Sequence, residues 1–313
     1  MLRLQTPVEF PQSGIGIRYS DSIMLLGSCF SDNIGKRLQE RGFNVCLNPF
    51  GTLYNPESIL SSILRLDSGE PFKEAECIRM GSGSALWGSF SHHTLAARES
   101  PSDFLRCANE ALGKASEFWK KSNKVIITFG TSWCYRFTES GRIVSNCLKR
   151  DAREFTREFL PAERTAEIVA QIVREHPDKQ FIFTVSPIRH FKDGAHGNAL
   201  SKASLLLGVE RGMKMAEERD PNGAKSLLSG GQNADNAQGQ KRAEYFPAYE
   251  ILMDELRDYR FYATDMLHPS EQAADYIFER FLAWALPEAE RDRLQREEKA
   301  FRQSQHKPLE TRK

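Results

Sequence analysis

Three short, mostly apolar runs constrain the fold of this chain most strongly, because each is followed by glycine or a polar residue. They occupy residues 23–26, 125–129 and 181–185. Each run is short for a helix, and a mostly apolar run suits a parallel strand that helices cover on both faces. Segments with helical spacing separate the runs. The sequence therefore predicts an α/β fold with a doubly wound, mainly parallel sheet.

The first run leads directly into a hydroxyl group. Residues 23–30 read IMLLGSCF, so a strand that ends at Gly27 brings Ser28 to the carboxyl edge of the sheet, where open α/β folds bind their ligands. Gly27 permits a sharp turn, and the first amides of the next helix attract an anion. We therefore expect chemistry at Ser28. Two alternatives remain open: Ser28 only caps the helix, or Cys29 is the nucleophile because a helix N-terminus favours a thiolate.

Helical periodicity, caps and turn residues predict the other elements. The predicted helices run from a cap at Ser31 or Asp32 to residue 39, and over 56–66, 102–119, 155–173, 198–218, 248–258 and 269–286, the last capped by Ser270. Further strands are predicted at 43–47 and 245–247, and residues 81–94 are expected to form turns and an edge hairpin. Strands and helices thus alternate along most of the chain.

The length of the chain suits one elaborated domain. Its 313 residues show this alternation up to residue 286, which predicts a single domain over 1–286. Residues 220–240 are rich in Gly, Asn, Gln and Ser and are expected to form a flexible insertion. Residues 287–313 are dominated by Glu, Arg, Lys and Gln, and predict a solvated helical tail.

Charge and cysteine content argue against several classes of partner. The formal net charge is +1 with acids and bases mixed, so we expect a small neutral or weakly charged substrate rather than nucleic acid or an anionic membrane. No run approaches the roughly 20 apolar residues of a membrane span, and no signal peptide is evident, which favours the cytoplasm. Six scattered cysteines without a Cys-x-x-Cys pair indicate neither a zinc ribbon nor a disulfide framework. The sequence leaves the oligomeric state open.

A serine nucleophile needs an imidazole to take its proton and a carboxylate to orient that imidazole. Asp265 and His268 offer this pair three residues apart, ahead of Pro269 and a predicted helix. Asp193 and His196 have the same spacing, but they lie in a glycine-containing segment that is expected to be a mobile loop. We therefore rank His268 above His196 as a preorganised base.

Strand exits meet at one edge of a doubly wound sheet. Ser28, the loop at 48–52, Thr131, Ser132 and the pair at 189–190 are therefore expected to share a cleft. His190 follows the third apolar run. It is expected either to contact the substrate or to form a hydrogen bond with the backbone. Arg189 is expected to bind either a carboxylate of the substrate or a neighbouring acidic side chain.

Residues 27–31, GSCFS, resemble the signature of the GSCFA domain family, which is itself similar to the SGNH (GDSL-like) hydrolases. Further segments that resemble the family lie at 48–52, 129–133, 146–147, 186–190 and 262–269. Together they extend from about residue 20 to about residue 281. The combination is far more specific than any single motif.

This resemblance implies a three-layer α/β/α sandwich and ester or acyl chemistry that uses neither a metal nor an organic cofactor. Ser28 matches the nucleophile, and Asp265 and His268 match the Asp-x-x-His of the wider superfamily. Gly51 matches the glycine whose amide joins the nucleophile's own amide in the oxyanion hole. Ser132 stands where typical SGNH enzymes have an asparagine, and Gly-Asp-Ser at the nucleophile has become Gly-Ser-Cys.

The predicted function is a serine-dependent esterase, deacylase or acyltransferase that acts on a small-molecule, carbohydrate-linked or lipid-linked ester. The altered nucleophile step and the missing asparagine motivate an alternative, a non-catalytic ligand-binding or regulatory module on the same fold. A nucleotide-dependent enzyme ranks last, because the chain lacks both a P-loop and a well-placed Gly-x-Gly-x-x-Gly.

Overall fold

A computed structural model describes residues 6–218 and 241–305. Its strands are β1 Ser22–Gly27, β2 Asn44–Leu47, β3 Ile78–Arg79, β4 Trp87–Gly88, β5 Lys124–Phe129, β6 Trp133–Phe137, β7 Ile143–Val144, β8 Phe155–Phe159, β9 Gln180–Val185 and β10 Ala243–Tyr245. Its α-helices are α1 Cys29–Glu40, α2 Pro56–Ser68, α3 Pro101–Lys121, α4 Ala162–Glu175, α5 Gly194–Glu217, α6 Ala248–Glu250, α7 Glu271–Ala285 and α8 Arg291–Gln305, and a π-helical turn, Ile251–Glu255, follows α6.

The central sheet has five strands in the order β10-β9-β5-β1-β2, and every neighbouring pair is parallel. Taken in chain order, this is the 2-1-3-4-5 arrangement of flavodoxin-like sheets. In such a sheet the strand order reverses beside the first strand, and ligands bind at the carboxyl ends of the two strands that flank this point. Here those strands are β1 and β5, so the topology directs a ligand to the exits at Gly27 and Phe129.

Two apolar layers cover the sheet. Met24 and Leu26 of β1 face one cluster with side chains of α2, α3, α4 and α5, whereas Ile23 and Leu25 face the other with side chains of α1, the π-helical turn and α7. Successive side chains of a strand point to opposite faces, which is why one apolar run supplies both clusters. The predicted α/β fold with a three-layer α/β/α arrangement is confirmed.

Most predicted elements are found within a few residues of their expected bounds, but three predictions need correction. The helix after β1 is capped by Ser28 rather than by Ser31 or Asp32, because it begins one residue after the strand exit. The helix predicted from residue 198 begins at Gly194, so Asp193 and His196 lie at a helix start and not in a mobile loop.

The third correction concerns the single helix predicted over 155–173. Phe155–Phe159 forms β8, which pairs antiparallel with β6, and the helix α4 begins only after Pro161. Proline has no amide hydrogen to donate within a helix, so it marks a helix start. The available strand signal was a short run with aromatic residues at Phe155 and Phe159 and the β-branched Thr156, just ahead of the proline.

Two small antiparallel sheets accompany the central one. β7, β6 and β8 form a three-stranded sheet, and β3 pairs with β4 as the hairpin expected around residues 81–94. The predicted insertion at 220–240 lies outside the described residues. Within the described ranges, no helix combines the length and apolar character that crossing a membrane requires.

Candidate functional site

The turn between β1 and α1 depends on Gly27. Its φ angle is 140°, and a Cβ atom there would lie 2.2 Å from the carbonyl oxygen of Thr128 on β5. The Gly27 amide donates to Asn48 Oδ1 at 2.8 Å, and Asn48 Nδ2 donates to Asp32 Oδ1 at 2.7 Å. Glycine therefore lets β1 and β5 approach closely at their exits, while Asn48 fixes the turn from the side of β2.

Ser28 is completely buried at this turn. Its Oγ accepts a hydrogen bond from the Phe30 amide at 3.3 Å, which is the capping bond of α1. Its own amide donates to Thr128 O at 3.2 Å. The hydroxyl and the amide of the sequence-predicted nucleophile are thus both hydrogen-bonded within the protein.

Cys29, the first residue of α1, is only partly buried. Its Sγ lies 3.4 Å from the phenol oxygen of Tyr54, which is also 3.2 Å from Thr52 Oγ1. Burial, together with the contact to Cys29, raises the pKa of Tyr54 to about 12, so the phenol keeps its proton at neutral pH. A neutral phenol is a hydrogen-bond donor that can face a thiolate at Cys29.

Backbone hydrogen bonds attach the segment after β2 to both central exits. Leu53 donates from its amide to Gly27 O at 2.9 Å, and Tyr54 O accepts from the amides of Gly130 and Thr131 at 2.7 and 3.0 Å. We call residues 27–29, 48–54 and 130–131 the switch-point edge. It brings together the first two strand exits that the sequence singled out.

The exit of β9 adjoins this edge through His190. The His190 ring packs edge to face on Tyr54 with the ring centroids 5.7 Å apart, and its amide donates to Asn198 Oδ1 at 2.9 Å. His190 Nε2 is enclosed and has no hydrogen-bond partner among the residues that the structure describes. Burial, with smaller contributions from the charges of Lys202 and His268, lowers the pKa of His190 to about 3, so the ring is neutral.

Asp265 and His268 form the expected carboxylate and imidazole pair. His268 Nδ1 lies 2.6 Å from Asp265 Oδ2, and both side chains are 45% exposed. The amides of His268 and Leu267 donate to Asp265 Oδ1 at 3.0 and 2.9 Å. These two bonds, followed by the His268 ring, lower the pKa of Asp265 to about 2, so the carboxylate is ionised and available to the imidazole.

The loop of this pair joins the β9 exit directly. The Arg189 amide donates to Leu267 O at 3.1 Å, which places the loop beside His190. A chain of contacts therefore runs from Cys29 through Tyr54 and His190 to the loop that carries Asp265 and His268.

Three residues predicted to bind an oxyanion or substrate have internal partners. The Gly51 amide donates to Asn48 O at 2.8 Å. Ser132 Oγ donates to Ser201 O at 3.0 Å, and Thr131 Oγ1 lies 3.0 Å from Ser201 Oγ. The bonds of Thr131 and Ser132 hold the exit of β5 against α5, and that of Gly51 holds the loop after β2.

Sequence reasoning did not single out Lys202, the residue after Ser201 on α5. Lys202 is 1% exposed, and its Nζ donates to the carbonyl oxygens of Gly130 and Ser186 at 2.7 Å each. Burial lowers the pKa of Lys202 to about 7. A buried lysine at helical spacing from apolar neighbours was the available signal, because lysine is seldom enclosed without a specific reason.

The second Asp-x-x-His, at Asp193 and His196, has different surroundings. Asp193 forms an ion pair with Arg157, whereas His196 is exposed on the first turn of α5. In the described part of the chain, no group of three or more His, Cys, Asp or Glu side chains has the arrangement to hold a metal ion.

Fold and site together define an α/β protein whose doubly wound parallel sheet presents a serine and a cysteine at its switch point, with a carboxylate and imidazole pair beside the neighbouring strand exit. Comparison with protein families gives a match to the GSCFA family over residues 22–281. This match covers most of the chain, so the protein belongs to the GSCFA family. Curated proteins and solved structures yielded no match.

Proposed function

We propose that this protein cleaves or transfers an acyl group at the switch-point edge, by attack of a side-chain nucleophile on an ester carbonyl. The observation that carries the proposal is the bond of 2.6 Å between His268 Nδ1 and Asp265 Oδ2. An imidazole held in this way presents its other nitrogen as a base, and an ionised carboxylate stabilises the imidazolium that forms. Resemblance to the SGNH hydrolases supports the same reaction class.

The reaction proceeds in two steps. His268 Nε2 takes the proton of the nucleophile as it attacks the carbonyl carbon, and the imidazolium then protonates the departing alcohol. Water or an acceptor alcohol, deprotonated by the same imidazole, then attacks the carbonyl carbon of the acyl enzyme. The bond from the acyl group to the nucleophile breaks, and the imidazolium returns its proton to the departing side chain. Asp265 stays ionised throughout and orients the His268 ring.

The nucleophile comes from one of two neighbouring side chains. Ser28 is the residue that the sequence motif selects, but its hydroxyl must leave the Phe30 amide and turn out of the core before it attacks. Cys29 is a partly exposed residue at the start of α1, and its Sγ lies beside the Tyr54 phenol rather than in the capping bond of the helix. We therefore assign the attack to Cys29, with Ser28 as its capping support and as the rival nucleophile.

Negative charge on the carbonyl oxygen needs hydrogen-bond donors close to the nucleophile. His190 is the donor that we assign to this charge, because its neutral ring adjoins Tyr54 and its Nε2 has no partner among the described residues. The ring must turn out from its place beside Gly130 for Nε2 to reach the oxygen. The start of α1 adds the partial positive charge of a helix N-terminus. Gly51, Thr131 and Ser132 act through the bonds that hold the loop after β2 and the exit of β5.

Mass spectrometry of a trapped acyl enzyme tests the proposal. The protein is mixed with p-nitrophenyl acetate, quenched in acid and digested, and the acetylated peptide is mapped in the wild type and in Ser28→Ala, Cys29→Ala and His268→Ala. We expect acetyl on Cys29 that neutral hydroxylamine removes, as a thioester requires, and its loss in Cys29→Ala and His268→Ala. His196→Ala serves as the matched control and retains wild-type labelling.

Each other outcome has a distinct meaning. Acetyl on Ser28 that resists hydroxylamine, and that persists in Cys29→Ala, reassigns the nucleophile to Ser28. Equal labelling in the wild type and His268→Ala removes the base from the proposal. A folded wild-type protein that neither labels nor releases p-nitrophenol favours the non-catalytic binding module.

A further inference from the structure

Arg189 lies between the β9 exit and the loop that carries Asp265 and His268. Its backbone amide donates to Leu267 O at 3.1 Å, and its guanidinium Nη2 donates to Met266 O at 2.5 Å. One residue therefore binds two consecutive carbonyl groups of this loop, from its main chain and from its side chain.

The loop has internal bonds that define its shape. The amides of Leu267 and His268 donate to Asp265 Oδ1, and the Ala263 amide donates to His268 O at 2.8 Å. Met266 adopts a φ of 58°, a left-handed conformation that is strained for a residue with a Cβ. These internal bonds leave the position of the loop relative to the sheet to other contacts, and the two bonds of Arg189 supply such contacts.

The guanidinium of Arg189 is itself held among aromatic rings. Its Cζ lies 4.1 Å from the ring centroid of Tyr262, 5.1 Å from that of Phe191 and 5.8 Å from that of Tyr259. Stacking on an aromatic face restricts the planar guanidinium more than it would a lysine ammonium, since the flat group has a preferred orientation on the ring. The group that donates to Met266 O is thus preorganised.

We infer that Arg189 is a positioning residue, which fixes the Asp265 and His268 loop on the β9 exit so that the imidazole faces the switch-point edge. The inference rests on the proposed function for the use of His268 as a base. Arg189 acts through the loop and touches no reacting atom. Its guanidinium is turned to Met266 O and the three rings, which distinguishes this role from capture of a substrate carboxylate.

The first measurement does not depend on activity. Histidine labelled with ¹⁵N is incorporated into the full chain, and the His268 ring signals are identified by their loss in His268→Ala. In the wild type we expect ring nitrogen shifts of a single tautomer with a protonated Nδ1. In Arg189→Met we expect the His268 ring signals to shift and broaden, because the loop moves on the β9 exit, while the circular dichroism spectrum is unchanged. Arg189→Lys keeps the charge and recovers part of the wild-type pattern.

The second measurement separates positioning from substrate binding. For hydrolysis of p-nitrophenyl acetate, we expect Arg189→Met to lower kcat by about 100-fold with little change in KM, since a displacement of about 1 Å costs this much. Arg257→Met is the matched control, because Arg257 is exposed and lines the same cavity of about 190 Å³ as Arg189. We expect Arg257→Met to leave both kcat and the His268 ring signals unchanged.

Two results overturn the inference. One is a wild-type set of His268 ring shifts in both Arg189→Met and Arg189→Lys. The other is a raised KM with an unchanged kcat, which makes Arg189 a substrate-binding residue. If Arg189→Met fails to fold, the shifts and kcat of Arg189→Lys decide. A wild-type protein without esterase activity counts against the proposed function, while the ring shifts still test the role of Arg189.

Discussion

Lys202 Nζ donates to the carbonyl oxygen of Gly130 at 2.7 Å, and it binds Ser186 O at the same distance. These carbonyls follow β5 and β9, so one buried amino group joins two neighbouring strand exits from inside the protein. The exits carry Thr131 and His190 toward the candidate site. Lys202 therefore links the α5 layer to the geometry of the switch-point edge.

We expect Lys202 to make stability depend on pH. Its pKa is about 7 in the folded protein, against 10.5 for a free lysine. Between these values the unfolded chain holds the proton and the folded chain does not. The free energy of unfolding therefore rises from pH 7 to 10.5 and falls again as the pH is lowered through this window. The gain from this group is at most about 5 kcal/mol.

The contribution of Lys202 to stability is measured by urea unfolding of the wild type and Lys202→Met at pH 7 and pH 10. Other titrating groups are shared by both proteins and cancel in the comparison. We expect the stability of the wild type relative to Lys202→Met to be higher at pH 10 than at pH 7. An equal difference at both pH values would show that Lys202 titrates alike in the folded and unfolded chains.

Gly27→Ala is expected to destabilise the protein severely. The added Cβ would lie 2.2 Å from Thr128 O, and the φ of 140° is strained for any residue with a side chain. Backbone atoms of two paired strands must separate, so we expect a loss of more than about 3 kcal/mol in urea unfolding. Gly141→Ala is the control, because its φ is also positive at 67° but no atom lies within 4 Å of the added Cβ. Its cost should be about 1 kcal/mol.

The sequence predicted the central sheet well because apolar runs that are covered on both faces are distinctive. The strands at 23–27, 125–129 and 181–185 all belong to it, and Pro56 and Ser270 mark helix starts where expected. The small sheet of β6, β7 and β8 was harder to predict. Phe155–Phe159 adjoins a strongly amphipathic helix, and the periodicity of that helix extended the prediction across Pro161.

The candidate site could be predicted only where the residues that form it are close together in the sequence. Asp265 and His268 are three positions apart, so their pairing followed from sequence. Tyr54 and Lys202 reach the site across long sequence separations. No local pattern marks Tyr54, and Lys202 is marked only by its helical spacing from apolar neighbours. The burial of Ser28 beside a partly exposed Cys29 depends on the phase at which α1 begins, and a shift of one residue there changes which side chain faces outward.

Tyr54→Phe is expected to slow alkylation of Cys29. The phenol oxygen lies 3.4 Å from Cys29 Sγ, and its raised pKa of about 12 keeps it a donor. Loss of one hydrogen bond to the sulfur costs about 1 kcal/mol, which corresponds to about a fivefold lower rate of alkylation. Iodoacetamide labelling at pH 7, followed by peptide mass spectrometry, measures the rate at each cysteine. Cys77 is the internal control, and an unchanged rate at Cys29 would contradict the donor role of Tyr54.

Asn48 gives a prediction that separates a hydrogen bond from backbone strain. Its Oδ1 accepts from the Gly27 amide at 2.8 Å, its Nδ2 donates to Asp32, and its φ is 39°. Asn48→Ala removes the side-chain bonds and leaves a methyl group in a left-handed conformation. Asn48→Gly removes the same bonds without that strain.

Asn48→Gly leaves the Gly27 amide unpaired. We therefore expect its free energy of unfolding in urea to be about 1 to 3 kcal/mol lower than that of the wild type. Asn48→Ala should lose about 1 kcal/mol more, because alanine is less tolerant of positive φ. Both variants also loosen the turn that presents Cys29, so p-nitrophenyl acetate hydrolysis should fall in both. Equal stability of Asn48→Gly and the wild type would mean that the Gly27 amide finds another acceptor, and Asn48 would then have no part in holding the turn.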